Sequence, residues 1–209
     1  MITGVPKYRF YATLLDAFVW YQVSESDTAE QDLINKINRV PVTDEKSLER
    51  MNKGTELNNL IDMMLIDSTV QQDSFDKNIV GELSEYLIGS VAQYRTESIL
   101  DCDGISVLVY GVSDYIKENK CIDLKTTSAY DLGKYKDSMQ RHLYPVCLNK
   151  EGIFVDEFEF LVTDFKSVFK EPYKVDLVES EKILTYCCSA LIEFIENKKH
   201  LITDEKIFG

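Results

Sequence analysis

The chain has no long apolar stretch: none of the hydrophobic runs in its 209 residues approaches 18. That argues against a membrane-spanning helix. The opening segment MITGVPKYRFYATLLDAFVWYQ lacks the charged, apolar, then small order of a secretion signal, so a soluble cytoplasmic protein is expected. Cysteine is sparse and irregularly spaced. Cys102, Cys121, Cys147, Cys187 and Cys188 form no C-x-x-C pair, and an odd number does not suit a disulfide framework. They read as small core residues. No G-x-x-x-x-G-K-[ST] phosphate loop occurs, so a nucleotide-driven motor, if one is involved, belongs to another chain. Positive charge is short as well, with 23 Lys and Arg against 36 Asp and Glu and a formal net charge of −13. Such acidity ordinarily serves solubility. A nucleic-acid partner would need a local basic cluster and bound cations to overcome it.

What remains is an ordinary globular composition, 44% hydrophobic and 28% charged, with enough chain for one domain. Residues 1–90 read mainly as helix. ATLLDAFVWYQ carries Leu14, Leu15, Phe18 and Val19 at helical spacing, TDEKSLERM opens with Thr43 as an N-cap, and GTELNNLIDMMLID aligns Leu57, Leu60, Ile61, Met64 and Leu65. IVGELSEYLIG reads as a further short helix. Residues 91–178 switch to period two. AQYRTESIL and ISVLVYGVSDYI flank the turn DCDG, and KENK turns into CIDLKTT. DLGKYKDSMQRHLYPVCLNK returns to helical period, with Leu132, Tyr135, Met139 and Leu143 as its apolar stripe; FVDEFEFLVTDF and YKVDLV read as strands. Residues 179–209 supply a closing helix and tail. The order predicts an α/β (α+β) domain spanning 1–209, a sheet covered by helices.

The chemistry gathers in GVSDYIKENKCIDLKTT. With KENK as a four-residue turn, Ile116 faces Cys121 and Asp114 falls opposite Asp123, β-carbons about 4.5–5.5 Å apart. Lys125 projects from the same face two residues on, while Ile122 and Leu124 point into the core. Opposed like charges destabilise a hairpin, and a hard divalent cation would relieve the conflict. Acid-x-Lys alone is unspecific, since it occurs six times in this chain. Only Asp123–Lys125 has a second carboxylate in register across a turn. The best rival is Asp164–Lys166 with Glu159 upstream. The bland alternative is an exposed salt-bridged cluster on a sheet face.

These residues resemble the PD-(D/E)XK nuclease superfamily in its RecB-like, phage-type exonuclease branch. The resemblance rests on GVSDYI, IDLKTT, the Q-x-x-x-Y of SMQRHLY, and an upstream KGTELNNLID with Asn58 where the family has histidine. It spans residues 10 to 148. It implies a restriction-endonuclease-like core with a helical N-terminal region. It also implies Mg2+ or Mn2+ held by Asp114, Asp123 and the Leu124 backbone carbonyl, with Lys125 orienting or deprotonating the attacking water and offsetting phosphate charge. Gln140 and Tyr144 would position DNA or brace the site. Asn58 would offer a neutral oxygen, favouring magnesium over softer metals, with Asp62 one turn on as a substitute. Pro145 would kink or end the helix beside Tyr144.

The cysteine arrangement of iron–sulfur members is absent, so no cluster is expected. The expected activity is metal-dependent DNA hydrolysis, exonucleolytic, in phage or mobile-element recombination, with a single-strand annealing protein as a possible companion and an oligomer allowed. Lys117, Lys120, Lys125, Lys134, Lys136 and Arg141 form the expected basic rim, with Lys136 and Arg141 as DNA contacts. The alternatives are a catalytically impaired nuclease-like binding module and an acidic protein-interaction protein.

Overall fold

A computed structural model describes residues 5–209; the first four residues of the N-terminal segment lie outside the described residues. A mixed six-stranded sheet forms the middle layer. Its elements run β1 (Tyr8–Tyr11), α1 (Ala12–Val23), α2 (Ala29–Ile37), α3 (Glu45–Ile66), α4 (Lys77–Leu87), β2 (Val91–Cys102), β3 (Ile105–Lys117), β4 (Lys120–Thr126), α5 (Gln140–Lys150), β5 (Glu157–Thr163), β6 (Val168–Lys174) and α6 (Leu177–Asn197). Two short 3-10 turns close the chain. The expected α+β class holds. Among the described residues no helix is long and apolar enough to cross a membrane.

Helices cover both faces, so the chain builds two cores. On one face Leu14, Leu15 and Phe18 of α1, Leu33 and Ile37 of α2, Leu143 of α5 and Leu191 of α6 pack on Phe10, Val109, Phe158 and Phe160. On the other, Leu57, Leu60 and Ile61 of α3 and Val80 and Leu83 of α4 pack on Tyr115, Ile122, Leu124 and Leu161. Burying each such aliphatic side chain contributes about 1.5–3 kcal/mol, which fixes the rotation of every helix about its axis. All five cysteines are buried and free.

Strand β3 organises the sheet. One edge pairs with β2 along nearly its whole length, through the two-residue turn Asp103–Gly104, whose φ values of +55° and +82° suit such a hairpin. Its other edge is shared. Parallel β1 takes Val107–Tyr110 and antiparallel β4 takes Tyr115–Lys117, leaving Gly111–Asp114 without a ladder partner on that side. Within this fork the alternation slips by one residue: Val107, Val109 and, seven positions on, Ile116 all face the larger core. The Ser113 hydroxyl donates to the Tyr115 carbonyl and also meets the Cys121 thiol, 3.1 Å away.

Several boundaries differ from the sequence reading. Residues 8–11 form a strand inside the segment read as helical, joining the sheet by pairing with β3. TDEKSLERM and GTELNNLIDMMLID are one 22-residue helix, capped by Asp44 rather than Thr43: the Asp44 carboxylate accepts the Ser47 N–H at 2.8 Å. Gly54 continues that helix because a side chain there would collide with Thr126; an added β-carbon would lie 2.7 Å from its Oγ1. The KENK turn is tighter than expected, with Lys117 paired to Lys120 and only Glu118 and Asn119 in the loop, although the register is unchanged. The helix read from residue 131 begins only at Gln140, and Leu132, assigned to its apolar stripe, is exposed. The last strand is Val168–Lys174, not YKVDLV, since the Asp176 carboxylate caps α6 through the Glu179 N–H.

Candidate functional site

The fork in β3 is where the predicted acids meet. The β3–β4 ladder stops at Tyr115–Ile122, one step before Asp114 and Asp123 would pair. In place of the next backbone bond, the Asp114 carboxylate accepts the Leu124 N–H at 2.9 Å. Asp114 therefore reaches one residue beyond its expected position across from Asp123. Burial and then the Asp123 charge push its carboxyl up to about 7, against the opposing pull of Lys125 and of the Leu124 N–H.

Asp123 is 2% exposed and pairs with Lys125 at 2.7 Å. Burial works against the lysine's charge, but the neighbouring carboxylates, Asp123 foremost, hold its pKa above the ordinary value. Gln140 closes the arrangement. Its Nε2 donates to Asp123 Oδ1 at 2.8 Å, and its Oε1 accepts from Lys125 Nζ at 2.6 Å. It reaches both because α5 is the crossover between the parallel strands β4 and β5, which lays its first turn over the outgoing end of β4.

Tyr144 lies one turn further along α5. Pro145 neither ends the helix nor displaces Tyr144 from the site: α5 runs on to Lys150, and the Tyr144 hydroxyl accepts from Gln140 Nε2 at 3.2 Å. Its ring lies against Gly111, where a β-carbon would come within 2.6 Å of Cε1. Gln140 and Tyr144 are both buried. Asn58 and Asp62 approach from the other face. Both take the Tyr115 hydroxyl as a neighbour, at 2.9 and 2.8 Å, and one phenolic proton can serve only one of them. Burial and Asp62 raise the Tyr115 pKa far above its usual range, so it stays a donor.

One contributor went unread in the sequence. Asp16 of α1 accepts the Met139 N–H at 2.5 Å and the Ser138 hydroxyl at 3.1 Å, fixing the start of α5 and hence Gln140. The available signal was an acid inside the apolar run LLDAF, which needs a partner if half-buried. The rival triplet does not assemble. Asp164 caps its own turn through the Lys166 and Ser167 N–H groups, while Glu159 takes the Tyr86 hydroxyl.

The expected basic rim is partly engaged. Lys117 donates to the Tyr86 carbonyl, Lys120 pairs with Glu157, and Lys134 binds Thr127 and the Ala129 carbonyl. The Arg141 guanidinium lies over the Tyr173 ring at 4.6 Å. Lys136 is exposed.

Among the described residues no group of three or more His, Cys, Asp and Glu side chains is arranged to hold a metal ion. The donor set is thus two carboxylates with carbonyl or amide oxygens. Asp123 Oδ2 is buried and has no aligned hydrogen bond, only the ion pair with Lys125. A buried oxygen so placed, beside a second carboxyl that resists ionisation, suits a hard cation that keeps several waters, as magnesium does.

The fold and this site together define an α+β protein with a buried acid–lysine cluster where a mixed sheet forks. No family model matches the chain, and no curated protein matches it. Among solved structures, the crystal structure of SSO0001 resembles it with a TM-score of 0.51 and 11% identity, over 90% of this chain and 79% of that one. At that identity the likeness concerns the fold alone. Rai1 of Scheffersomyces stipitis aligns over 93% of this chain and 62% of its own, at 12% identity and a TM-score of 0.35, too low to carry an argument.

Proposed function

We infer that the chain is a metal-dependent nuclease acting on DNA, with Asp114, Asp123 and Lys125 as its reacting groups. The observation that carries this reading is the Gln140 bridge. One side chain, 5% exposed, hydrogen-bonds both members of the Asp123–Lys125 pair and so holds a carboxylate and a cation in fixed relation. Asp114, Asp123 and the Leu124 carbonyl would hold magnesium or manganese, with Asn58 or Asp62 available from α3. When bound, such an ion lowers the pKa of its water and polarises a phosphoryl oxygen.

The chain's own groups do the rest. Lys125, kept protonated, offsets charge on a phosphate rather than acting as a base at neutral pH. Gln140 keeps the lysine from swinging away, and the Tyr144 hydroxyl, accepting from Gln140 Nε2, holds Gln140 in turn. Phosphodiester hydrolysis needs little more than this: positioned water, neutralised charge and a fixed acid pair.

A second reading, a nuclease-like binding module without turnover, draws on the lack of a third acidic or imidazole ligand. Incubating the protein with linear and circular, single- and double-stranded DNA, with and without magnesium, separates the two. Magnesium-dependent cleavage that disappears in Asp123→Ala supports the enzyme; cleavage undiminished in that variant removes Asp123 from the mechanism.

A further inference from the structure

A cavity of about 640 Å³ opens beyond the end of β4, immediately after Lys125. Its lining includes Lys46, Arg50 and Lys53 of α3, Thr126 and Thr127, and Lys166 from the β5–β6 turn. The three α3 cations recur at i, i+4 and i+7, so they share one helix face. All four basic side chains are exposed, and among the described residues none is in an ion pair. That sets them apart from Lys117, Lys120 and Lys134, whose charged ends are engaged elsewhere. Two acids also line the cavity, Glu49 and Asp164, leaving a local excess of positive charge on a chain of net charge −13.

The floor of this cavity is held rigid. Phe165 adopts φ +67°, a left-handed conformation unusual for a non-glycine residue. The Thr163 hydroxyl oxygen accepts the Phe165 N–H at 3.0 Å, and Asp164 Oδ1 accepts the N–H groups of Lys166 and Ser167 at 3.0 and 2.8 Å. The turn so fixed sets the Phe165 ring against Phe75 and places Lys53 Nζ 4.0 Å above its centroid. Gly54, next to Lys53, lets α3 lie against Thr126. From Lys53 the same helix rises about 7.5 Å to Asn58, which touches Tyr115 beside Asp114. Helix α3 thus carries unpaired cations in its first turns and, further along, the Asn58 that meets Tyr115 next to the acid site.

We propose that this groove binds the phosphodiester backbone of one nucleic-acid strand and leads it to Asp114 and Asp123. The lysine and arginine cations, with the Thr126 hydroxyl, are donors that recognise phosphate, and they carry no base selectivity, so the groove is sequence-tolerant. The proposal rests on the nuclease reading for its direction but not for its binding.

The test uses the full chain with Asp123→Asn to suppress turnover, and a short fluorescein-labelled single-stranded oligodeoxynucleotide followed by anisotropy over a salt series. Adding Lys46→Gln, Arg50→Gln and Lys53→Gln removes three contacts at about 0.7 each, so the log–log salt slope falls by about 2 and affinity drops on the order of 100-fold near 0.1 M salt. The paired control Lys136→Gln with Arg141→Gln loses less. The substituted side chains are exposed, so an unchanged circular dichroism melt confirms an intact fold. Equal affinity and slope in the parent and the triple variant overturn the groove while leaving the nuclease reading in place. Loss of binding in the triple variant, with no cleavage by the unmutated chain under any metal condition, supports the groove and removes the enzyme. No binding by the parent under any condition ends both.

Discussion

Asp114→Asn should stabilise the metal-free protein above neutral pH, and the size of the effect follows from the site. In the fold its carboxyl is raised from 3.8 to about 7, by burial first and the Asp123 charge second. Between those two values the native state keeps a proton that the unfolded chain has released, so wild-type stability falls as pH rises from about 4 to about 7. Three units at about 1.36 kcal/mol each amount to about 4 kcal/mol. Asparagine carries no charge and can still accept the Leu124 N–H through its amide oxygen. The stability of the variant minus that of the wild type should therefore be near zero below pH 4 and reach about 4 kcal/mol by pH 8. With a urea slope near 2 kcal/mol/M, that is a midpoint difference of about 2 M. Urea unfolding in a chelating buffer, wild type beside variant across that range, reads this directly, and the subtraction cancels the titrations common to both. Magnesium at about 100 times its dissociation constant adds about 2.7 kcal/mol to the wild type and should close most of the gap. Parallel curves from pH 4 to 8, or a variant less stable at pH 8 without metal, would refute the view that these acids strain the metal-free site.

Gln140→Leu keeps the volume but leaves Asp123 and Lys125 with only each other; at about 1.5–3 kcal/mol for a hydrogen bond to a charged group, thermal unfolding should show a loss of on the order of 3 kcal/mol. Its cleavage rate should fall at least tenfold in the assay that detects wild-type activity, and a normal rate would remove Gln140 from the site's support. Gly54→Ala, which in most exposed helices stabilises by about 0.5–1 kcal/mol, should here destabilise, because the new methyl meets Thr126 Oγ1; Thr126→Ala should restore the ordinary sign in a double-mutant cycle of denaturation midpoints. Lys125→Gln should leave magnesium affinity by calorimetry unchanged or improved while sharply reducing cleavage, since it removes a cation from beside the acids; weaker metal binding would contradict its assigned position.

The hairpin was legible because its information is local. Alternation over two strands and a short turn fix which residues share a face, and Ile116 against Cys121 follows from counting alone. Helix faces were legible for the same reason: Leu57, Leu60 and Ile61 recur at helical spacing and are buried together. The misread segments depend on tertiary partners. Tyr8–Tyr11 has too few residues to display a period, and its strand exists because β3 offers it an edge. Residues 131–139 carry apolar residues at helical spacing but form successive tight turns rather than a helix, held to β6 where Glu171 accepts the Gly133 N–H at 3.1 Å and takes the Tyr130 hydroxyl. Composition ranked the basic residues by sequence crowding. It could not see that four of the crowded lysines are engaged, or that Lys166 joins three α3 cations from more than a hundred residues away.

The fork in β3 explains why acids are tolerated here at all. Interrupting a strand ladder inside a sheet leaves backbone donors and acceptors in need of partners. Asp114 supplies one for the Leu124 N–H, and the Ser113 hydroxyl supplies another for the Tyr115 carbonyl. One of the residues that repair the ladder, Asp114, is thus the one that crowds charge beside Asp123. The same interruption opens the sheet to both covering layers: Gln140 and Tyr144 reach in from α5, and Asn58 and Asp62 act through Tyr115 from α3. A continuous ladder would have kept these layers apart. Because they converge on one acid pair, a strand drawn along α3 and a cation seated between the acids would act on the same few groups, and metal binding should tighten nucleic-acid binding by the factor with which nucleic acid tightens metal binding.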